Sequence, residues 1–213
     1  MPTLPTPQDF SNIEINSVFP GMRVDTDTGK SYRLNFSTHF FTVQVTYPAM
    51  DRNEVRQVMG FLQGMQGSLT EFDCPLGIYS DTAGARATLS GPADKTLTVD
   101  ANASVGDSAI TYNSNWTNAY YTFANDNNFL QVGDYITFSN HNKVYVLTDV
   151  TNPNSSGDGG FSISPGLQET ITTSETIDVT NVTMKVFLDG DTMQFSTGAK
   201  GFSQLAFNFK EDV

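Results

Sequence analysis

The sequence predicts a mostly β protein in which a single helix lies on a sheet and a second, small β domain is inserted into the chain that builds that sheet. Three observations carry this reading: one capped amphipathic stretch at residues 51–64, alternating apolar and polar runs on both sides of it, and a change of texture after Thr82 that reverses near Met184.

The helix is expected over residues 51–64. Asp51 is placed to accept from the free amides of a first turn, and Glu54, three residues on, to reach back to the Asp51 amide as in a capping box. Val55, Val58, Met59 and Leu62 recur at i, i+3, i+4 and i+7 and so share one face. Gly64 and Gly67 are the expected stop, because glycine readily takes the left-handed conformation that closes a helix. Arg52, Arg56 and Gln63 fall on the polar side, a candidate subunit contact because bases are scarce in this chain.

Ahead of the helix, prolines at 2, 5 and 7 predict an extended or flexible arm over residues 1–9, one that in an assembly could lie across a neighbour. Residues 10–19 alternate around Ile13 and Ile15 and predict a first strand, ended by Pro20 and Gly21. The DTDTG at residues 25–29 has the opening spacing of a calcium loop but lacks its later acid and closing glutamate, so an ordinary polar turn is expected. Tyr32, Leu34 and Phe36, and then Phe41, Val43, Val45 and Tyr47, alternate with polar residues, which predicts two strands with one buried face each. After the helix a strand is expected from Leu69 to Phe72, closing at Pro75.

Residues 84–183 form the expected inserted domain. Short strands are predicted at 97–99, 109–112, 120–123, 135–138, 144–150, 161–163 and 177–182, with turns at Gly133-Asp134, 140–142 and 152–160; close spacing without helices predicts a small barrel or sandwich. Residues 184–213 return to the first texture. A strand at 184–188, a tight turn at Asp189-Gly190-Asp191, a partner at 193–197, a turn bracketed by Gly198 and Gly201, and a closing strand at 202–209 with Leu205, Phe207 and Phe209 on one face complete the chain. Residues 1–83 and 184–213 are therefore expected to share one sheet.

Charge narrows the function. The chain has 23 acids and 11 bases, a net charge of −12, and no basic segment; residues 84–183, with ten acids and three bases, are the most acidic part. Gripping nucleic acid requires clustered Lys and Arg, so repulsion from DNA is expected, which would suit a surface that DNA must slide past. Cys74 is the only cysteine, which excludes an intrachain disulfide and cysteine-pair zinc sites and predicts a small buried side chain. No basic segment followed by an apolar run opens the sequence, and no stretch approaches the length that spans a bilayer; a protein made in a cytoplasm, with no membrane insertion, is expected.

No constellation carries catalysis. His39 and His141, the only histidines, fall in different expected domains; His39 is expected to be structural, and His141, within NHNK, to sit in an exposed turn. With 23 acids some pair always looks like a glycosidase dyad, so pairing by sequence means little. An exposed Trp116 with Tyr120, Tyr121 and Phe123 would make an aromatic platform for a sugar ring, although the alternation of Tyr121 and Phe123 favours a core role. Asn-X-Ser/Thr sequences at Asn35, Asn102, Asn115, Asn154 and Asn181 follow from the abundance of those residues.

The order of these elements resembles tail proteins of long-tailed bacteriophages, nearest to distal tail proteins and related baseplate components. YPAMDRNEV leads into QVMGFLQGMQG and LTEFDCP, with Phe61, Leu62, Gly67 and Phe72 on the family spacing; Gly133-Asp134, VYVLTDV, and Gly160, Ile163 and Pro165 match its insert; Phe207, Phe209 and Glu211 match its closing strand. The resemblance covers nearly the whole chain. It implies a tube-like β-sandwich with a flanking helix, repeated around a ring, commonly a hexamer, at the end of the tail tube, and bearing an outward β domain that is sometimes of oligonucleotide/oligosaccharide-binding type. It implies no catalytic residues and no cofactor, and as partners the tail tube protein, a hub or tip protein, and fibre or receptor-binding proteins within the virion. The short polar carboxyl end lacks the further carbohydrate-binding domain of some distal tail proteins. The other classes left open are a receptor-binding module that grips glycan through Trp116 and Tyr120 and a tail-associated hydrolase.

Overall fold

The computed structural model describes residues 1–36, 38–84, 97–114, 129–154, 156–190 and 202–213. The expected strands at 120–123 and 193–197, and the turn at Gly198 and Gly201, lie outside the described residues. Among the described residues the fold is mostly β, with one α-helix and a closed barrel. The chain divides into two compact units, Met1–Cys74 with Lys185–Val213, and Pro75–Met184.

The first unit holds a five-stranded sheet in the order β1 (Asn12–Val18), β4 (Phe40–Thr46), β13 (Ala206–Glu211), β12 (Thr183–Leu188), β5 (Phe72–Pro75). The strand at the far end of the sequence therefore lies between two strands from distant parts of the chain. Antiparallel pairing sets Phe207 opposite Val45 and Phe209 opposite Val43, and Val186 opposite Glu211. Alternation puts Phe41, Val43, Val45 and Tyr47 in the core together with Leu205, Phe207 and Phe209, as the pattern of two predicts. Glu211 is the exception on that buried face: its carboxylate accepts from the Phe41 amide at 2.9 Å, 170 residues away in sequence. A charge-assisted bond of this kind gives the buried acid a partner and joins the two ends of the chain.

Helix α1 (Arg52–Gly64) begins as its sequence requires. The Asp51 carboxylate accepts from the amides of Asn53 at 2.7 Å and Glu54 at 2.9 Å, and the Glu54 carboxylate accepts from the Asp51 amide at 2.8 Å. Val58 and Leu62 are fully buried, Val55 and Met59 partly so. Phe61 meets Phe72 edge-on at 5.4 Å, and Phe72 meets Phe209 at 5.2 Å, so the helix covers β5 and β13. The stop differs from expectation. Gly64 ends the helix without a left-handed backbone; that conformation falls on Gln66, at φ 57°, and on Gly67, at φ 73°. A short 3-10 turn, Gly67–Leu69, then takes Leu69 out of the expected strand and leaves it exposed.

Two further expectations for this unit are corrected. The proline-rich arm is docked: the Leu4 amide donates to the Asp73 carbonyl and the Asp73 amide to the Pro2 carbonyl, both at 2.9 Å, while the Tyr47 hydroxyl donates to the Pro5 carbonyl. Proline offers a carbonyl without an amide, which suits a segment that covers an edge without presenting a new one, and buried Leu4 fixes it. The second correction concerns residues 21–35. Gly21–Asp25 is a strand (β2) that the sequence does not predict, and among the described residues it pairs only with β3 (Ser31–Asn35), in a two-stranded ribbon. The face expected to be buried is exposed: Tyr32, Leu34 and Phe36 keep 63, 59 and 54% of their surface. Residues 25–29 are the ribbon's turn, where the Thr26 amide donates to the Lys30 carbonyl and Gly29 takes φ 79°.

The second unit is a closed, all-antiparallel barrel of six strands, β6 (Leu97–Val99), β7 (Ala109–Ser114), β8 (Tyr135–Phe138), β9 (Val144–Thr151), β10 (Asp158–Ser164) and β11 (Thr176–Asp178), in the cyclic order β10, β7, β6, β11, β8, β9. Its own core gathers Leu97, Ile110, Tyr112, Ile136, Phe138, Leu147, Phe161 and Ile163. The change of texture at Thr82 does not coincide with the unit boundary, because residues 75–83 already belong to the barrel unit. Several bonds hold this entering chain: the Thr82 amide donates to the Val179 carbonyl at 3.0 Å, the Val182 amide to the Ser80 carbonyl and the Asn181 amide to the Asp81 carboxylate, both at 2.8 Å, and buried Asp134 accepts from the Thr82 hydroxyl, the Ala83 amide at 2.9 Å and the Gln131 amide at 2.8 Å.

Candidate functional site

The barrel surface carries an open groove of about 410 Å³ between β7, β9 and β10, lined by Asp100, Thr111, Thr151, Asn152, Asn154, Asp158, Gly159 and Gly160. Strand alternation explains it. Tyr112 points into the core, stacked between Phe129 at 6.2 Å and Phe161 at 5.6 Å, so its neighbour Thr111 faces out. The floor of the groove is glycine for steric reasons: a Cβ on Gly159 would stand 2.5 Å from the Tyr112 ring and 3.0 Å from the Thr151 carbonyl. The Tyr112 hydroxyl donates to that same carbonyl at 3.2 Å, and burial raises its pKa well above the usual phenol value.

Along the wall, the turn 152–158 is organised by its own side chains. Asn154 accepts from the amides of Ser156 at 2.7 Å and Asp158 at 3.1 Å and donates to the Asp158 carboxylate, which also accepts from the Asn113 amide group at 2.6 Å. Asn152 accepts from the Phe129 amide at 2.8 Å. Asp158 is therefore held in place by two donors, whereas Asp100 is exposed at the opposite lip. Carboxylates, carboxamides and hydroxyls over a flat glycine floor offer donors and acceptors to a polyhydroxylated ligand. Trp116 and Tyr120, the glycan contact that the sequence suggests, lie outside the described residues; the groove residues carry no signal in the sequence because their proximity depends on the β7–β10 pairing.

Both histidines are buried. His39 is buried, hydrogen-bonded through Nε2 to the Ser17 hydroxyl at 2.8 Å and flanked by the rings of Phe19 at 4.4 Å and Phe41 at 4.5 Å, the structural role expected of it. His141 contradicts expectation: it is buried, with Nδ1 2.9 Å from the Tyr145 hydroxyl, which also accepts from the Gln168 amide at 3.0 Å. Burial lowers its pKa, opposed by the nearby Glu169 and Glu175. The NHNK turn is polar in sequence, yet the ring folds back over Phe138 at 5.4 Å. Cys74 is buried and its thiol is pushed up to about 12, which removes it as a nucleophile at neutral pH.

Arg52, Arg56 and Gln63 are all exposed on α1. Among the described residues no group of three or more His, Cys, Asp or Glu side chains is placed to hold a metal ion. No helix among them is long and apolar enough to cross a membrane. Compared with protein-family models and with curated proteins, the chain matches none.

Proposed function

We propose that this chain is a structural subunit of a phage tail ring, joining the tail tube to a hub or tip protein and carrying fibre or receptor-binding proteins on its outer domain. The observation that supports this reading most is the architecture: a sheet completed by both ends of the chain, with a helix on it and a closed barrel inserted between β5 and β12, in the element order of the distal tail proteins it resembles. One sheet edge is covered by the amino-terminal arm, while the outer edge of β1 pairs with no other strand among the described residues. An open edge is a hazard in a monomer and a joint in a closed ring. A net charge of −12 keeps such a ring from gripping DNA that passes it.

Native mass measurement of the purified chain, with class averages of intact particles labelled on the barrel, tests the reading. A closed ring of fixed copy number at the tail tip is the expected result; a stable monomer, with no ring position in the particle, defeats it.

A second reading, a glycan-binding role for the inserted barrel, is favoured by the open groove and its carboxylate, carboxamide and hydroxyl side chains. Asp100→Ala removes an exposed lining carboxylate that has no fold-determining bond in the turn. It should abolish retention on host-surface glycan while leaving the barrel's melting unchanged. Absence of any retention by the unaltered chain across a glycan panel removes the idea.

A further inference from the structure

Gly159 and Gly160 are neighbours on β10 and are glycine for different reasons. Gly159 lies over the Tyr112 ring, which leaves no room for a Cβ. Gly160 belongs to the outward face, and a Cβ there would meet, among the described residues, only the Ile110 carbonyl at 3.4 Å, an ordinary contact; its φ is not left-handed. Register sets Gly160 opposite Thr111 on one side and Thr151 on the other, and the Asp100 amide donates to the Thr111 carbonyl at 3.0 Å. One outward row therefore runs Asp100, Thr111, Gly160, Thr151, and it is interrupted at Gly160. Glycine weakens a strand interior, and where the fold does not require it, it marks the close approach of something else. With strands about 4.8 Å apart, Thr111 and Thr151 stand about 10 Å from each other across the gap, which admits a single sugar ring.

We propose that the notch over Gly160 is a subsite for an amine-bearing sugar, with the ring laid on the Gly160 backbone and the ammonium on Asp100. The charge of the ligand follows from the groups around the notch. The row ends on the exposed Asp100 carboxylate, and the next row carries Asp158, fixed by Asn113 and Asn154; both carboxylates line the groove, and neither Lys nor Arg does. The unit as a whole, residues 75–184, holds eleven acids against three bases, and the one base that lies among its described residues, Lys143, is buried. Ionised carboxylates only accept, so the notch selects a ligand rich in donors. An ammonium brings donors and the opposite charge together, whereas a carboxylate or phosphate on the sugar meets a repelling field. This deepens the glycan reading of the barrel and rests on it.

Titration calorimetry of the full chain with the trisaccharide of glucosamine and with its N-acetylated counterpart, at a pH where the amine is protonated, tests the proposal. The amine form should bind the natural chain more tightly, by a margin that shrinks as salt is raised. Gly160→Thr fills the notch with a residue that suits a strand, so it should leave the barrel's melting unchanged or raise it while weakening binding about tenfold or more. Asp100→Asn should remove the preference for the amine, and Asp178→Asn, an equal change of charge at an exposed position of β11 outside the groove, should not. If Gly160→Thr binds as the natural chain does, or if the acetylated sugar or another glycan is preferred, the proposal is overturned and the glycan reading stands. Early melting of Gly160→Thr shows that the fold itself needs the glycine, and an equal loss in Asp178→Asn shows unspecific attraction; either overturns the proposal. If the natural chain binds neither trisaccharide and nothing in a panel of neutral and anionic glycans, both fall.

Discussion

In the barrel every strand has two hydrogen-bonded neighbours, so no backbone edge is left and the core is enclosed by six short strands that need nothing outside themselves. Among the described residues the five-stranded sheet ends instead at β1 and β5, and its two ends are treated differently: a proline-rich arm runs along β5, while β1 pairs only with β4. Next to that open end the chain projects a ribbon with an uncovered apolar face. Closure leaves the barrel no open strand edge, whereas the sheet keeps one at β1 among the described residues. The barrel unit is also the more acidic of the two.

If the two units are stabilised separately in this way, damage to one core should spare the other. Leu62→Asp puts a charge into the buried seam between α1 and the sheet and should cost more than about 4 kcal/mol, enough to unfold the first unit. Limited proteolysis should then yield an intact barrel fragment; recovery of the sheet with loss of the barrel would invert the comparison. Phe138→Ala, in the barrel core against Tyr145, should cost about 3–5 kcal/mol and melt the barrel early, with the sheet transition unchanged by differential scanning calorimetry. A single merged shift of both transitions would show that the units are not separately stable.

Glu211→Gln sharpens the account of the open sheet. It keeps the size of the side chain but weakens the bond to the Phe41 amide, and a loss of about 1–2 kcal/mol is expected, seen as faster amide exchange in β4 and β13 with none in the barrel. The smallest effect is a dependence on pH. Because burial holds the His141 pKa below its value of 6.5 in an unfolded chain, the folded barrel binds a proton less readily than the unfolded one. Its stability is complete above pH 6.5 and declines as the pH falls from there through the folded pKa. The barrel transition should therefore move down on mild acidification, and His141→Phe should flatten that slope while the sheet transition keeps its own.

Features whose causes lie within a few residues were legible in the sequence. The capping box of Asp51 and Glu54 needs only a spacing of three, the stripe of Val55, Val58, Met59 and Leu62 needs only the helical period, and the strands of the barrel announced themselves by alternation between turn residues. The site was far less legible. Asp100, Thr111, Asn152 and Asp158 form one groove because β7 pairs with β10, and no local pattern reports that pairing. His141 looked exposed because its neighbours are polar, while the ring itself is drawn over Phe138 and bonded to Tyr145.

By itself, then, the sequence determined the single helix and its start, the period-two strands, the acidic balance and the insertion of a β domain, all of which arise from local stereochemistry or from composition. Tertiary structure alone decided three other things: that the proline arm lies along β5, that long-range bonds from Asp134, Val179 and residues 181–182 hold residues 80–83 in the barrel unit, and that the alternating run at Tyr32 and Leu34 faces solvent. Alternation says that a strand has two unlike faces. Whether its own chain covers the apolar one depends on which strands become neighbours, a choice made by long-range packing.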